Sequence, residues 1–417
     1  MLEFLTTMPV LSRLLEIFST LWTFWSIWLP LLLGITFYEI WMRYIRTKFI
    51  YEKQNILLEI RVPREISKSP IAMEMFLNAL YQTSSGSFVT VFLKGSVRPW
   101  FSLEIISTGG NVRFFIWTQK DFKNVIEAQL YSQYSNIEIY EVEDYCAGFV
   151  YDKEINNING AQLGLTKPDP YPIKTYVDYG LDKDPKEEFK IDPLTPLIEF
   201  LGSLKPLEQA CIQILIQAHK TEKALEGRIF KKKEDWKKEA KEEIKKIIKN
   251  SILGGEKDKE GKEVKMEYGK LSTIEKDVVE AIERSISKNA FETMIRIIYL
   301  APKEAFNSGG TGGVIGAFRS FSSQTLNGFK KQWGPGYDYT WQDPRKKKEY
   351  KNKLKLLEAY KMRSFFNLPF KNFHGKAFIL TTEELATIFH FPGEVSKTPT
   401  FERILSRKGE APANLPT

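Results

Sequence analysis

Cysteine and histidine are nearly missing from this chain. Two cysteines, Cys146 and Cys211, and three histidines, His219, His374 and His390, are all that 417 residues hold. No CxxC or CxH spacing occurs, which removes the common zinc and dithiol signatures. Two separated thiols with apolar neighbours predict buried free cysteines of a reducing compartment. No Asp, Glu or Cys flanks a histidine at triad or metal-ligand spacing, so each histidine is expected in a packing or surface role. A nucleotide loop is missing too. The segment "NSGGTGGVIGAF" lacks the lysine and Ser/Thr of a P-loop, and "GGEKDKEGKE" puts Glu263 where Ser/Thr should follow the Gly-Lys pair. No catalytic, cofactor or metal residues are assigned, and a non-enzyme without cofactors is the expectation.

Charge is present in both signs: 60 Lys and Arg against 52 Asp and Glu give a net charge of +8, which suits an anionic partner such as lipid headgroups or DNA. One long apolar run exists. From Ile17 to Tyr38 no residue is charged, and a span of roughly 20 residues crosses a hydrocarbon core. Trp22, Trp25, Trp28, Tyr38 and Trp41 suit the interfacial belts, and Pro30 is tolerated inside such a helix. A cleaved signal peptide is the competing reading; against it, the run is long and no small-residue cleavage site follows. Arg43, Arg46, Lys48 and Lys53 follow the span, so the positive-inside rule predicts a single-pass anchor (residues 1–48) in the inner membrane with the body in the cytoplasm.

The body reads as α+β. "NILLEIRVP", "SPIAMEMFLNALYQT", "WFSLEIIS", "VRFFIWT", "KDFKNVIEAQLYSQY" and "NIEIYEVED" give the order β-α-β-β-α-β, a ferredoxin-like domain over 50–150, with Gly109 and Gly110 turning the central hairpin. A linker is expected over 151–171. A second ferredoxin-like domain over 172–380 then runs from a strand at "YPIKTYVDY" through "DPLTPLIEFLGSL", "EQACIQILIQAH", "FETMIRIIYLAP" and a glycine-rich helix to a last strand at "KAFIL". In "EQACIQILIQAH", Gln209, Gln213 and Gln217 interrupt an apolar stretch. Both domains are expected to have self-contained cores.

A charged helical hairpin over 219–288 interrupts the second domain, with Leu225, Ile229, Trp236, Ala240, Ile244 and Ile247 on one stripe and Glu234–Lys238 and Glu242–Lys246 as i,i+4 pairs. It reads as a solvated arm or a docking arm. A basic helix over 345–364 carries Arg345, Lys346, Lys347, Lys348 and Lys351, with Lys353 and Lys355, around a buried stripe of Leu354, Leu357 and Tyr360. These cations are the candidates for contact with DNA or anionic lipid, beside the plainer reading of a solvated face. A C-terminal helix and extended strap fill 381–417.

The C-terminal stretch "FILTTEELATIFHFPGEVSKTPTFERILSRKGEAPANLP" resembles the segment upstream of the ATPase cassette in membrane-bound type IV secretion DNA-translocating ATPases, the TraG/TraD-like coupling proteins and their HerA-like relatives. The hairpin "WFSLEIISTGGNVRFFIW" is similar to their membrane-proximal domain, and the module also resembles a candidate-phyla bacterial family that lacks the ATPase cassette. The resemblance implies an accessory scaffold for a separate P-loop ATPase in a type IV secretion or conjugation-like machine, oligomeric once assembled. Arg403, Arg407, Lys408, Pro412 and Pro416 in the strap are then the expected docking residues, the prolines lowering the ordering cost of an extended segment. The alternatives are a direct DNA-binding module, or an enzyme with a site between the α+β domains.

Overall fold

The computed structural model describes residues 22–63, 68–134, 136–183, 191–220, 235–253 and 271–393, with residues 13, 16, 19 and 20. A helix, α1 (Trp25–Glu52), leads directly into β1 (Asn55–Arg61), which is followed by α2 (Ile71–Ala79) and a six-residue helix α3 (Phe88–Leu93). Next come β2 (Phe101–Thr108), β3 (Asn111–Gln119), α4 (Lys123–Gln133) and β4 (Glu138–Val142). The chain continues through β5 (Asn156–Leu165), α5 (Thr195–Gly202), β6 (Gln209–Ala218), α6 (Trp236–Leu253), α7 (Thr273–Ser287) and β7 (Ala290–Pro302). It closes with α8 (Gly310–Ala317), β8 (Phe329–Trp333), α9 (Lys347–Lys361), β9 (Phe378–Thr381) and α10 (Thr382–Ile388).

All nine strands join one sheet in the order β4-β1-β3-β2-β6-β7-β5-β8, with β9 added alongside β7. The expected boundary between two cores is absent. β2 and β6 pair antiparallel over their whole length, from Phe101 opposite Ile216 to Thr108 opposite Gln209. A single apolar cluster then runs across the seam, from Leu58, Phe114 and Ile116 to Ile212, Ile295 and Ile297, roofed by α2, α4, α5, α8 and α10. Period-2 alternation puts the other residues of the same strands on the opposite face, where Trp117, Cys211, Met294 and Ile298 meet Leu356 and Tyr360 of α9.

Several expectations change. The stretch taken for a linker contains β5, paired on one side with β7 and on the other with β8. "YPIKTYVDY" is a string of turns rather than a strand. Its backbone donors find side chains instead of a ladder: Ile173 N–H donates to Glu384 at 2.9 Å, and Tyr176 N–H to Thr387 Oγ1 at 3.0 Å. β8, not "KAFIL", takes the outer place beside β5; "KAFIL" forms β9 against the first residues of β7. In α9 the buried apolar residues are Leu356, Leu357, Ala359 and Tyr360, while Leu354 is half-buried and Lys353 is covered. The helix expected in "TTEELATIFHFP" forms as α10, and every residue of it is buried.

The glycine cluster that enters α8 has a packing cause. A Cβ at Gly310 would lie 2.6 Å from the Tyr299 ring and one at Gly313 2.2 Å from the Phe200 ring, so only glycine lets α8 close on the sheet and on α5. On the arm, Ala240, Ile244 and Ile248 of α6 pack with Val279 and Ile282 of α7, Trp236 is buried at the start of α6, and a Ser272–Glu275 capping box starts α7. Lys246 pairs with Glu243 at 2.6 Å rather than with Glu242. Leu225, Ile229 and Glu234 lie outside the described residues.

Candidate functional site

α1 is long and apolar enough to cross a membrane by length and composition, and only 6% of its apolar window is buried, so it is not a core helix of the body. Its 28 residues extend about 42 Å. Burial begins only near its end, at Met42 and Ile45. There the helix meets the loop after α3: Gly95, at φ +71°, sits so close that a Cβ would lie 2.4 Å from the Ile45 carbonyl. Trp41 Nε1 donates to the Phe92 carbonyl at 3.4 Å.

This contact defines one end of the sheet. β1 and β2 begin there, β6 ends there at Ala218 and β7 starts there at Ala290, so the arm α6–α7 leaves from the same end. A cavity of about 390 Å³ sits where α1, sheet and arm meet, lined by Arg46, Arg98, His219, Trp236, Glu292 and Lys376 among others. Arg98 donates to the Ala218 carbonyl and lies 3.5 Å from Glu292, while Gln217 Nε2 donates to the Arg98 carbonyl at 3.0 Å. His219 Nδ1 lies 3.4 Å from the same Glu292 carboxylate. Both charge signs line the walls, so the cavity suits polar bridging between three elements more than capture of one anion.

A second polar assembly crosses the middle of the α9 face. Glu104 stands opposite Gln213, Gln213 opposite Arg296, and Arg296 opposite Gln162, a row through β2, β6, β7 and β5. Arg363, just after α9, holds Glu104 at 3.0 Å through Nε and also pairs with Asp144. Gln213 Nε2 donates to the Tyr360 carbonyl at 3.1 Å, Arg296 Nη1 to that of Ala359 at 2.9 Å, and Arg363 Nη1 to that of Lys361 at 3.0 Å. Those are carbonyls of the last turn of α9, two of which also accept from the backbone N–H groups of Arg363 and Ser364, so the row adds side-chain bonds that locate the end of that helix. Burial pulls the Arg296 guanidinium down to about 9. Burial would raise the Asp144 carboxyl, yet Arg363 holds it below its ordinary value. Beside this assembly a cavity of about 490 Å³ opens between Trp100, Trp117, Asp144, Arg363, Tyr51 and Leu368. Burial pushes both thiols up, Cys211 to about 12, which makes them poor nucleophiles.

The histidines acquire partners that spacing did not foretell. His390 Nε2 lies 3.1 Å from Asp192 and its Nδ1 2.9 Å from the Ala386 carbonyl. Asp192 in turn accepts from Leu194 N–H at 2.8 Å ahead of α5, so the pair ties α10 to α5. Burial would lower the His390 pKa, but the Asp192 charge carries it above the ordinary value. His374 stacks on Trp333 with centroids 4.1 Å apart. Among the described residues no group of three or more His, Cys, Asp or Glu is placed to hold a metal ion.

Arg345, Lys346, Lys347, Lys348 and Lys351 are all exposed around the start of α9. Asp343 caps that start, accepting from Lys347 N–H at 3.1 Å and Glu349 N–H at 2.8 Å. Lys353 is drawn away from the group, pairing with Glu349 at 2.8 Å and donating to Asn157 at 2.9 Å. Asn157 belongs to the start of β5, opposite Ala301 near the end of β7, so the basic cluster lies at the opposite end of the strands from α1. β7 has 13 residues and extends about 43 Å. Beside the cations stand exposed Tyr337, Tyr339 and Trp341, the last two stacked with centroids 5.9 Å apart. Arg403, Arg407, Lys408, Pro412 and Pro416 lie outside the described residues. α3 is foreshadowed only by "FVTVFLKG" between serines and glycine, Glu104 and Arg296 only by a charge inside an apolar strand, and Arg363 by no local signal.

One family model, described as a domain of unknown function (DUF8128), matches residues 47–403, from the last residues of α1 through the whole sheet. No curated protein matches the chain.

Proposed function

We propose, for a chain that belongs to the DUF8128 family, a membrane-anchored scaffold that docks a separate P-loop DNA-translocating ATPase at the cytoplasmic face, as part of a type IV secretion or conjugation-like machine. The observation that carries the scaffold reading is the joint between α1 and the sheet. An apolar helix exposed along its length is fixed to a nine-stranded sheet by the Gly95–Ile45 contact, which makes a rigid mount. Strand order supports reading the body as two ferredoxin-like units fused at β2–β6, since β4-β1-β3-β2 on one side is matched by β8-β5-β7-β6 on the other. The arm α6–α7 is then an insertion in the second unit. On this reading the strap with Arg403, Arg407, Lys408, Pro412 and Pro416 engages the motor, and the end of the sheet remote from the anchor faces it.

A second reading, direct contact with a single nucleic-acid strand, is favoured by one arrangement. Stacked, exposed Tyr339 and Trp341 beside Lys346, Lys347 and Lys348 combine π-faces with cations, which is how strands are held without sequence readout. The distance of this cluster from α1 favours a soluble anionic partner over a lipid surface. Photo-cross-linking from Trp341 and from Arg407 in the full chain, in its native membrane, tests both readings. An ATPase adduct from Arg407 is the expected result. A nucleic-acid adduct at Trp341 with no ATPase at Arg407 selects the second reading, and neither adduct overturns both.

A further inference from the structure

Between α2 and β2 the chain makes a short helix whose outer face is apolar and uncovered. In α3, Phe88 is 63%, Val89 55% and Leu93 65% exposed, while Val91 on the inner side is fully buried. Ser87 accepts from Thr90 N–H at its start, and Gly95 presses on Ile45 at its end, so the helix is built in place and not a loose loop. Three large apolar side chains facing outward from one six-residue helix are costly in water.

The neighbour of that face is α1. Phe92 of α3 approaches Tyr38 with ring centroids 6.4 Å apart, packs on Phe88 at 4.3 Å, and its carbonyl takes the Trp41 indole N–H. The exposed apolar surface of α1 runs down to this level, through Phe37, Ile40 and Tyr44, and cations follow at Arg43, Arg46 and Lys48. α3 brings its own cation, the exposed Lys94, next to Leu93. An apolar face, an aromatic belt and a fringe of Lys and Arg therefore coincide at one height along the anchor. That is the profile of the boundary between acyl chains and headgroups.

We propose that α3 dips into the bilayer beside α1, with Phe88, Val89 and Leu93 in the acyl–headgroup boundary, as a second membrane contact that fixes the tilt of the sheet. This rests on the reading of α1 as a membrane span. The occupant is the lipid surface because the exposed face of α3 is continuous with that of α1. A single helix leaves a body free to tilt over the membrane surface; a second contact off the axis restrains that tilt.

Depth measurement separates this proposal from its premise. Single cysteines with nitroxide labels are placed at Leu32, Val89 and Leu207 in the full chain, reconstituted in phosphatidylcholine–phosphatidylglycerol vesicles. Cys146 and Cys211 are buried. Leu207 is exposed just before the start of β6, at the end of the strands remote from α1, and serves as the aqueous reference. Relaxation by oxygen, which partitions into lipid, is compared with relaxation by a water-soluble nickel chelate. The expected result is a strong oxygen preference at Leu32, an intermediate one at Val89 and a nickel preference at Leu207. A Val89 label as open to nickel as the Leu207 label, with Leu32 still in lipid, overturns the proposal and leaves the anchor standing. A Leu32 label in water overturns both. Shielding at Val89 that follows protein concentration in detergent, without vesicles, assigns the face to a second copy and also overturns the proposal. A Phe88→Asp/Val89→Asp/Leu93→Asp variant should stay in the vesicles through α1 while its oxygen preference at Thr90 falls to that of Leu207.

Discussion

The two faces of the sheet are made by the same strands and are built on different principles. On the helix-roofed face every inward residue of β6 is apolar: Ala210, Ile212, Ile214, Ile216 and Ala218. On the α9 face the intervening positions include Gln213 and Gln217, and the neighbouring strands add Glu104 and Arg296. Across β6 the first face is held by area removed from water, which is strong and non-directional, the polar bonds of that side lying in its roof at α10. The second is held by directional bonds, with net gains near 1 kcal/mol each, that fail if α9 moves by an ångström. The difference teaches that α9, which carries the exposed cations, is positioned rather than merely covered.

That contrast is most exposed at Arg363. Arg363→Met leaves Glu104 buried without its cation and should lower unfolding free energy by about 4 kcal/mol, read from denaturant midpoints of the chain in detergent. Adding Glu104→Leu should return part of that loss. A double variant no more stable than the single would show that the α9 face is not organised by this pair. Next in size, Ile212→Ala on the opposite face should cost about 3 kcal/mol through its cavity and leave cross-linking from Trp341 unchanged.

A smaller, pH-dependent effect should come from the roofed face. Glu384, fully enclosed at the start of α10, is raised by burial to about 7 even though Thr381 and Ile173 donate to it. Because the folded protein holds this proton more tightly than the unfolded chain, the stability this group contributes is greatest below about 4.5 and falls as pH rises to about 7, by about 3 kcal/mol. Glu384→Gln should flatten that window. His390 adds to the decline at higher pH: its raised pKa contributes stability below 6.5 that is lost as pH climbs through the folded value, and His390→Gln removes that part alone. The smallest effect belongs to the surface. Lys347→Ala with Lys348→Ala removes cations from the positive end of α9 and should stabilise by about 0.3–0.5 kcal/mol, while weakening whatever anion the cluster holds.

Much of the sheet was legible because strands write their pattern into sequence. β1 was marked by alternation, β2, β3, β6 and β7 by apolar runs of strand length, and Gly109 and Gly110 do take positive φ at the expected turn. β5 escaped because "NNINGAQLGL" trades side chains for closeness: a Cβ at Gly160 would lie 2.5 Å from the Ile297 carbonyl and 2.7 Å from Leu356. Conversely, "YPIKTYVDY" alternates convincingly, yet side chains of α10 satisfy its backbone. The polar row could not be read, since Arg363 and Glu104 stand 259 positions apart and nothing local links them. Of the candidate contact residues, Arg345 to Lys348 and Lys351 could be named from composition. Their place at the far end of the strands, and the departure of Lys353, are tertiary facts.

The placement of α1 and the basic cluster at opposite strand ends has a mechanical consequence. A pull between membrane and partner would run along the strands, not across them. Ladder hydrogen bonds lie perpendicular to that direction, so the β2–β6 seam would be loaded in shear, with its rungs from Phe101–Ile216 to Thr108–Gln209 resisting together. A load across the strands would instead peel those rungs one after another. The body is thus built as a tension member, stiff along the line that joins α1 to the basic cluster.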